Sequence, residues 1–196
     1  MQSELQRFEE SLLANGSAFG VELSPQTVAQ LATYYSLLTR WNDRLHLVAP
    51  CSPEEFATRH VLESMTLLKH LPHEAKIADI GSGGGLPIIP CLIARADLEA
   101  TLIESSQKKT VFLREALKAV GRSATIIARR FEEIEAPNVD FVTCRALDRF
   151  ISKIPVLTAW APNGATLLFF GGENLLNAER YLIPGSERRY LFIVRR

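Results

Sequence analysis

The sequence predicts an α/β protein in which a helical N-terminal extension precedes a mostly parallel, doubly wound sheet. Three observations predict it: helical periodicity alone up to Leu71, short apolar segments alternating with helical ones after Pro72, and a glycine-rich turn between the first such pair. Parallel strands are joined through helices that cover the sheet, so this alternation favours the class. We therefore expect residues 1–71 to form the extension and residues 72–196 a Rossmann-like core, integrated into one domain.

The extension is predicted to contain three helices. The second should begin at Ser24-Pro25, an N-cap followed by proline at the first helical position. The third should begin at Ser52, which opens a capping-box pattern with Glu55. Apolar residues at helical spacing mark the inner faces. They are Leu5, Phe8 and Leu12 in the first helix, Val28, Leu31, Ala32, Tyr35 and Leu38 in the second, and Phe56, Val61, Met65 and Leu68 in the third.

The core is predicted to alternate strands with helices. The strand candidates are Lys76–Ile80, Ala100–Glu104, Ala124–Ala128, Val139–Cys144 and Ala165–Phe170, with Tyr190–Val194 as a last strand. The helix candidates are Leu86–Ala94 and Lys108–Val120, the latter closed by Gly121.

The charge composition gives only weak evidence for or against nucleic acid as a binding partner. The chain carries 22 basic and 22 acidic residues, so its formal net charge is zero. Nucleic-acid-binding domains are usually basic, yet local basic clusters can steer RNA while acids elsewhere balance them. The candidate clusters are Lys108-Lys109, Arg129-Arg130, Arg188-Arg189 and Arg195-Arg196.

Cysteine usage and hydropathy indicate the compartment. Three widely spaced cysteines argue against a complete disulfide framework and against a CxxC metal pair. No apolar run approaches the ~20 residues of a membrane helix, and the N-terminus shows no signal-peptide pattern. We expect a cytoplasmic, monomeric protein that needs neither a membrane nor a metal.

The strongest local signal is the segment from Asp79 to Pro87, which follows a strand and opens a helix. Ligands of doubly wound sheets sit at this place, and glycine lets the backbone approach them. A dinucleotide fingerprint needs a third glycine where this chain has Leu86. The acid before glycines 81, 83 and 85 suits a cationic ligand such as S-adenosylmethionine (SAM). Glu104 closes the second strand, where an acid can accept hydrogen bonds from ribose hydroxyls.

The ordered motifs resemble those of a known family. They are Trp41-Asn42, Arg59-His60 with Glu63-Ser64, the loop from Asp79 to Pro87, Lys109 with Phe112-Leu113, Arg130 with Glu132-Glu133, and Cys144-Arg145-Ala146. In this order the sequence is similar to the bacterial ribosomal RNA small-subunit methyltransferase G family, also called glucose-inhibited division protein B. The resemblance spans about Leu31 to Gly172.

The resemblance implies a class I SAM-dependent methyltransferase that methylates N7 of one guanine in 16S ribosomal RNA and releases S-adenosylhomocysteine (SAH). Guanine N7 carries a free lone pair, so no general base is expected. The residues expected to bind the cofactor are Asp79, Gly81, Gly83, Gly85, Leu86, Glu104, Phe131, Glu132 and Arg145, with Phe131 and Glu132 at the adenine. The residues expected to contact RNA are Arg59, His60, Lys108, Lys109 and Arg130. Arg145 and Arg130 are the candidates for catalysis by positioning.

The sequence also departs from the family pattern. His46 and Val48 replace the Asn and Thr of an Asn-Leu-Thr motif, Ile88 replaces a glycine, Glu63 an aspartate, and Gly171 stands near an expected lysine. Three alternatives therefore stay open: a SAM-dependent methyltransferase with a protein or small-molecule acceptor, a degenerate non-catalytic SAM- or RNA-binding module, and an NAD-type oxidoreductase, which Leu86 disfavours.

A purely structural role remains open for three of the candidate functional residues. Arg145 could form an ion pair with Asp148 or Glu132 instead of touching a ligand. His60 could be a packing or capping residue. Trp41 could pack in the core rather than stack on a base.

Overall fold

The structure is a computed structural model that describes residues 2–145 and 150–196. Helix α1, Glu4–Asn15, begins at Ser3, which forms a reciprocal cap with Gln6. Helix α2, Pro25–Leu45, begins where the Ser24 hydroxyl accepts a hydrogen bond from the Thr27 amide, as predicted. All five residues expected on its inner face are buried. In α1, Phe8 and Leu12 are buried, but Leu5 is 37% exposed because it lies in the first turn at the edge of the bundle.

The third helix, α3, is a composite. It consists of Pro53–Glu55, a π-helical stretch Phe56–Leu62, the turn Glu63–Met65 and a 3₁₀ stretch Thr66–His70. Ser52 caps its start. The inner face contains Phe56, Val61 and Met65 as predicted, but Leu67 is buried and Leu68 is only half-buried. A π-helix and a 3₁₀-helix turn by different angles per residue, so a pattern of 3.6 residues does not extend through both.

Seven strands form one sheet in the order β3-β2-β1-β4-β5-β7-β6. Their bounds are Lys76–Ile80 for β1, Glu99–Ile103 for β2, Thr125–Ile127 for β3, Phe141–Cys144 for β4, Thr166–Gly172 for β5, Glu179–Leu182 for β6 and Arg189–Arg195 for β7. β1 to β5 pair in parallel, whereas β7 is antiparallel to both β5 and β6.

Both faces of the sheet are covered, as a doubly wound fold requires. The helices of the core are α4, Ile88–Ala94, α5, Gln107–Ala119, and α6, Phe150–Trp160. One core cluster joins the N-terminal helices, α4 and α5 to one face of the sheet. The other joins α6 to the opposite face. No helix within the described residues is long and apolar enough to cross a membrane.

Six strands, five helices and the α/β class are confirmed, with bounds shifted by one or two residues. One strand and one α-helix of the described residues were not predicted. Every residue of β6 is exposed, so it lacks the alternation that marks a half-buried strand. Helix α6 contains Pro155 and is apolar around most of its circumference, so no clear helical period appears.

Candidate functional site

A cleft of about 710 Å³ lies where the parallel strands end. The glycine loop follows β1, Glu104 follows β2 and Arg145 follows β4, and the carboxyl ends of parallel strands meet at one edge of the sheet. The cleft is lined by Leu47, Val48, Ala49, Arg59, His60, Glu63, Gly81, Ser82, Gly83, Gly84, Leu86, Glu104, Ser105, Lys109, Arg145, Phe170, Gly171, Gly172 and Arg189. It therefore brings the predicted cofactor loop and several predicted RNA-binding residues into one space.

The glycine loop has a backbone that requires glycine. Gly81, Gly83 and Gly85 have φ of 70°, 51° and 82°, a region that side chains disfavour. A Cβ on Gly85 would also stand 2.3 Å from Cδ1 of Ile89. The loop is tied to β2 because the amide of Gly81 donates a hydrogen bond to the carbonyl of Ile103 at 2.8 Å.

Glu104 is oriented by the backbone around it. One carboxylate oxygen accepts from the amide of Gly83 at 2.9 Å, and the other accepts from the amide of Ser106 at 2.7 Å. A carboxylate has about four acceptor sites, so both oxygens can accept further hydrogen bonds. The side chain lines the cleft and is therefore placed to bind a pair of hydroxyls.

Asp79 is an orphaned buried carboxylate. It is 0% exposed, and both of its oxygens lack a hydrogen-bond partner among the described residues. Burial is the main reason that the pKa of Asp79 is raised from 3.8 to about 7; the neighbouring Ser82 hydroxyl lowers the pKa and the charge of Glu104 raises it, each by less than burial does. A buried polar group without a partner is rare in native proteins. The residue fits a cationic ligand, but it lies behind the cleft wall and would act on that ligand through its field or through a water.

The guanidinium of Arg145 is held by the composite helix α3. It donates to the carbonyl of Arg59 at 2.7 Å and to the hydroxyl of Ser64 at 3.1 Å. It also forms an ion pair with Glu63 at 3.3 Å. The suggested ion pair with Glu132 is wrong, because Glu132 pairs with Lys153 instead. Asp148, the other suggested partner, lies outside the described residues, as does Ala146 of the same motif.

Glu63 joins two arginines. Its side chain is 3% exposed and also forms an ion pair with Arg189 of β7, at 2.9 Å. His60 stands beside this cluster. Its pKa is lowered to about 3, first by burial and then by the positive charges of Arg145, Arg59 and Arg189. The imidazole is therefore neutral at physiological pH. The centroid of its ring lies 5.2 Å from that of Phe56, as expected if His60 is a packing residue.

Two further cations line the cleft. Arg59 is an exposed residue that forms an ion pair with Glu55 at 2.8 Å. Lys109 is half-buried and lies in the first turn of α5. Lys108, its neighbour, is exposed and is not among the described residues that line the cleft.

The predicted adenine end, Phe131 and Glu132, follows Arg130 along the chain. Arg130 is exposed, Phe131 is buried against Trp160, and Glu132 binds Lys153. None of the three is among the described residues that line the 710 Å³ cleft. Their predicted contacts with the cofactor and with RNA stay predictions.

Sequence reasoning missed part of the cleft. Arg189 was noted only as one of a basic pair, and Phe170 only as the end of a strand. The Asn42 side chain bonds both the amide and the carbonyl of Val48, each at 3.0 Å, and so fixes the segment that lines the cleft. Trp41, beside it, is half-buried and packs edge-on against Phe112 at 6.1 Å, in line with the core alternative.

Comparison with known proteins gives a consistent picture. A family model described as rRNA small subunit methyltransferase G matches residues 27–179. Relatives named ribosomal RNA small subunit methyltransferase G include those of Xanthomonas campestris pv. campestris, 39% identical over 82% of this chain and 76% of the relative, and of Xanthomonas oryzae pv. oryzae, 34% identical over 86% of each. The relative in Sorangium cellulosum is 38% identical over 79% of this chain and 69% of its own length.

Solved structures show the same fold at low identity. An RNA methyltransferase from Salinibacter ruber in complex with S-adenosyl-L-homocysteine superposes with a TM-score of 0.57 at 16% identity, over 76% of this chain and 93% of that one. The mitomycin 7-O-methyltransferase MmcR gives 0.59 at 16% identity, over 83% and 60%. The fold is that of the class I SAM-dependent methyltransferases.

Proposed function

The chain belongs to the rRNA small subunit methyltransferase G family, and on this premise we propose that it transfers a methyl group from SAM to N7 of a specific guanine in 16S rRNA. The observation that carries the proposal is the cleft itself. One space contains the carboxylate of Glu104, a glycine loop and the cations Arg59, Lys109 and Arg189. A nucleoside ligand and a polyanionic acceptor therefore have complementary groups side by side.

The residues proposed to hold SAM fit its chemistry. Glu104 accepts from the ribose hydroxyls, while Gly81, Gly83 and Leu86 form the wall that the ligand approaches. Gly85 gives the loop its shape, and the buried Asp79 supplies negative charge near the ammonium and sulfonium groups. Phe131 and Glu132 are proposed to reach the adenine from the 3₁₀ turn Phe131–Glu133.

SAM supplies a sulfonium methyl group, and guanine N7 can accept it through its lone pair without losing a proton. The chain therefore has to orient the base, not to remove a proton from it. His60 is compatible with a reaction that needs no general base, because its pKa is lowered to about 3 and the neutral imidazole is a weak base. Holding two reactants in a reactive geometry can contribute ~7–11 kcal/mol in favourable systems.

We propose that the arginines act by position. Arg145 holds α3 against the end of β4 through its hydrogen bonds to Arg59 and Ser64. The edge of its guanidinium that makes no such bond faces the cofactor and the target base in the cleft. Arg59 and Lys109 bind RNA phosphates at the cleft, while Lys108 and the exposed Arg130 bind RNA farther from it. Such contacts orient the RNA without reading its sequence.

The experiment is transfer of tritium from labelled SAM to small ribosomal subunits taken from cells that lack this methyltransferase. Large subunits, ribosomal proteins and small nucleophiles serve as parallel acceptors. We expect label in the RNA of the small subunit alone. Label in a protein or small molecule would indicate another acceptor, and SAH binding without any transfer would indicate a non-catalytic module. Binding of NADH in place of SAH would contradict the cofactor.

A further inference from the structure

Helix α2 of the N-terminal extension contacts the glycine loop directly. The side chain of Tyr34 is 0% exposed, and its hydroxyl donates a hydrogen bond to the carbonyl of Gly84 at 2.5 Å. Leu38, one turn along the same helix, lies against the same residue. A Cβ on Gly84 would stand 3.4 Å from Cδ1 of Leu38 and 3.4 Å from Cβ of Leu47. The loop is thus packed against the extension on one side.

The loop is fixed at two consecutive residues by different parts of the chain. On the sheet side, the amide of Gly83 donates to Glu104 at 2.9 Å. On the extension side, the carbonyl of Gly84 accepts from Tyr34. Glycine itself has little preference between left- and right-handed backbone. Contacts such as these two must therefore select the conformation in which Gly83 has a φ of 51°.

We propose that Tyr34 is a positioning residue of the SAM site, which holds the glycine loop in its ligand-binding conformation before the ligand arrives. The proposal rests on the proposed function only for the identity of the ligand. It makes the extension part of the cofactor site as well as of the fold.

The chemistry of the pair suits a permanent contact. Burial raises the pKa of Tyr34 well above its usual value, so the phenol remains a donor throughout the physiological range. Without the hydroxyl, the carbonyl of Gly84 would lose a buried partner or turn toward the cleft to find water. Either response changes the wall that the ligand meets, since Gly84 lines the cleft.

The test compares Tyr34→Phe with Tyr35→Phe in the full chain. Tyr35 is the matched control because it is the next residue of α2, is 6% exposed, and stacks on Phe8 at 4.4 Å. Binding of SAH and of 16S rRNA is measured by calorimetry well below the melting temperature. We expect Tyr34→Phe to weaken SAH binding roughly tenfold, the factor that corresponds to one net hydrogen bond. Tyr35→Phe should stay within about twofold, and RNA affinity should change in neither.

A second measurement reports on the loop directly and needs no ligand. Amide exchange of residues 81–85 in ligand-free wild type should be slow and should quicken in Tyr34→Phe but not in Tyr35→Phe. Unchanged SAH affinity in Tyr34→Phe despite a lower melting temperature would overturn the proposal, as would equal weakening by both variants. Fast exchange of the loop in ligand-free wild type, while α2 stays protected, would also overturn it. If wild type bound no SAH at all, the proposed function would fail, and the exchange comparison would still test Tyr34.

Discussion

The cleft has a cofactor half, formed by the glycine loop and Glu104, and an arginine half, formed by Arg59, Arg145, Arg189 and Glu63. The buried carboxylate behind the first half and the one in the second have opposite surroundings. Asp79, behind the cofactor half, is 0% exposed, and its carboxylate oxygens have no hydrogen-bond partner among the described residues. Glu63, in the arginine half, is 2% exposed and pairs with both Arg145 and Arg189. An unpaired buried charge costs free energy, whereas a paired one holds its partners in place. The first half is therefore incomplete without a ligand, and the second is a wall already assembled by the protein.

The charges of the two halves follow the same division. Glu104 lines the cofactor half and Asp79 is buried behind it, while Arg59, Arg145 and Arg189 outnumber Glu63 in the other. A cationic ligand fits the first and a polyanion fits the second. Substitutions in the two halves should therefore have separable effects on stability, on SAH binding and on RNA binding.

The largest effect should come from Asp79→Asn. The pKa of Asp79 is raised from 3.8 to about 7, so its contribution favours the folded state below pH 3.8 and is lost as pH rises through 7. At pH 8 the variant should be more stable than wild type by up to about 4 kcal/mol, with a smaller difference at pH 5. Urea unfolding of the ligand-free protein at both pH values measures this difference.

Asp97→Asn is the control of opposite sign. Hydrogen bonding to Arg95 lowers the pKa of Asp97, so its stabilising contribution is present above pH 3.8 and is lost as pH falls. That variant should be less stable than wild type at pH 8. An Asp79→Asn protein that was destabilised equally at pH 5 and pH 8 would contradict an unpaired carboxylate.

Glu63→Gln should have the next largest effect, with the opposite sign to Asp79→Asn. It leaves two neighbouring arginines without their shared counter-charge. The loss should be about 3 kcal/mol, at the low end for a broken buried pair because water reaches Arg189, whose side chain is 38% exposed. Glu55→Gln, which breaks the exposed pair with Arg59, should cost at most about 1 kcal/mol. Equal losses in the two variants would show that the Glu63 cluster does not hold the wall together.

Glu104→Gln should weaken SAH binding by roughly ten- to a hundredfold and leave RNA affinity unchanged. Both oxygens of Glu104 accept from backbone amides, so an amide group in their place turns a donor toward a donor. Glu99→Gln is the matched control, since Glu99 begins the same strand and pairs with Lys76 at the surface, at 3.9 Å. Calorimetry with SAH measures the difference, and a Glu104→Gln protein with wild-type affinity would remove Glu104 from the site.

Arg59→Gln should produce the smallest effect, the converse of Glu104→Gln. Loss of one phosphate contact should weaken RNA binding and reduce the salt slope by about 1, with SAH affinity unchanged. Arg7→Gln is the control, because Arg7 forms a comparable surface pair with Glu54 at 3.3 Å but lies away from the cleft. Filter binding across a salt series distinguishes the two. An unchanged slope in Arg59→Gln would place the RNA elsewhere.

The two halves also differ in how far the sequence predicts them. The glycine loop follows β1 and Glu104 follows the next strand, β2, so their spacing along the chain was enough to predict a ligand site. The arginine half is assembled from distant segments: Arg189 and Glu63 are 126 residues apart, and periodicity does not report such a contact. The burial of Tyr34 was also missed, since the apolar stripe predicted on α2 includes its neighbour Tyr35 but not Tyr34.

The most direct test of the central claim is to map the methylated atom in 16S rRNA. Small subunits methylated by this protein are extracted, and their RNA is reduced with borohydride and treated with aniline, which cleaves at N7-methylguanine. The account predicts one new cleavage at a single guanine, in RNA from treated subunits only. Incorporated label without cleavage, or cleavage spread over many guanines, would contradict specific methylation at guanine N7.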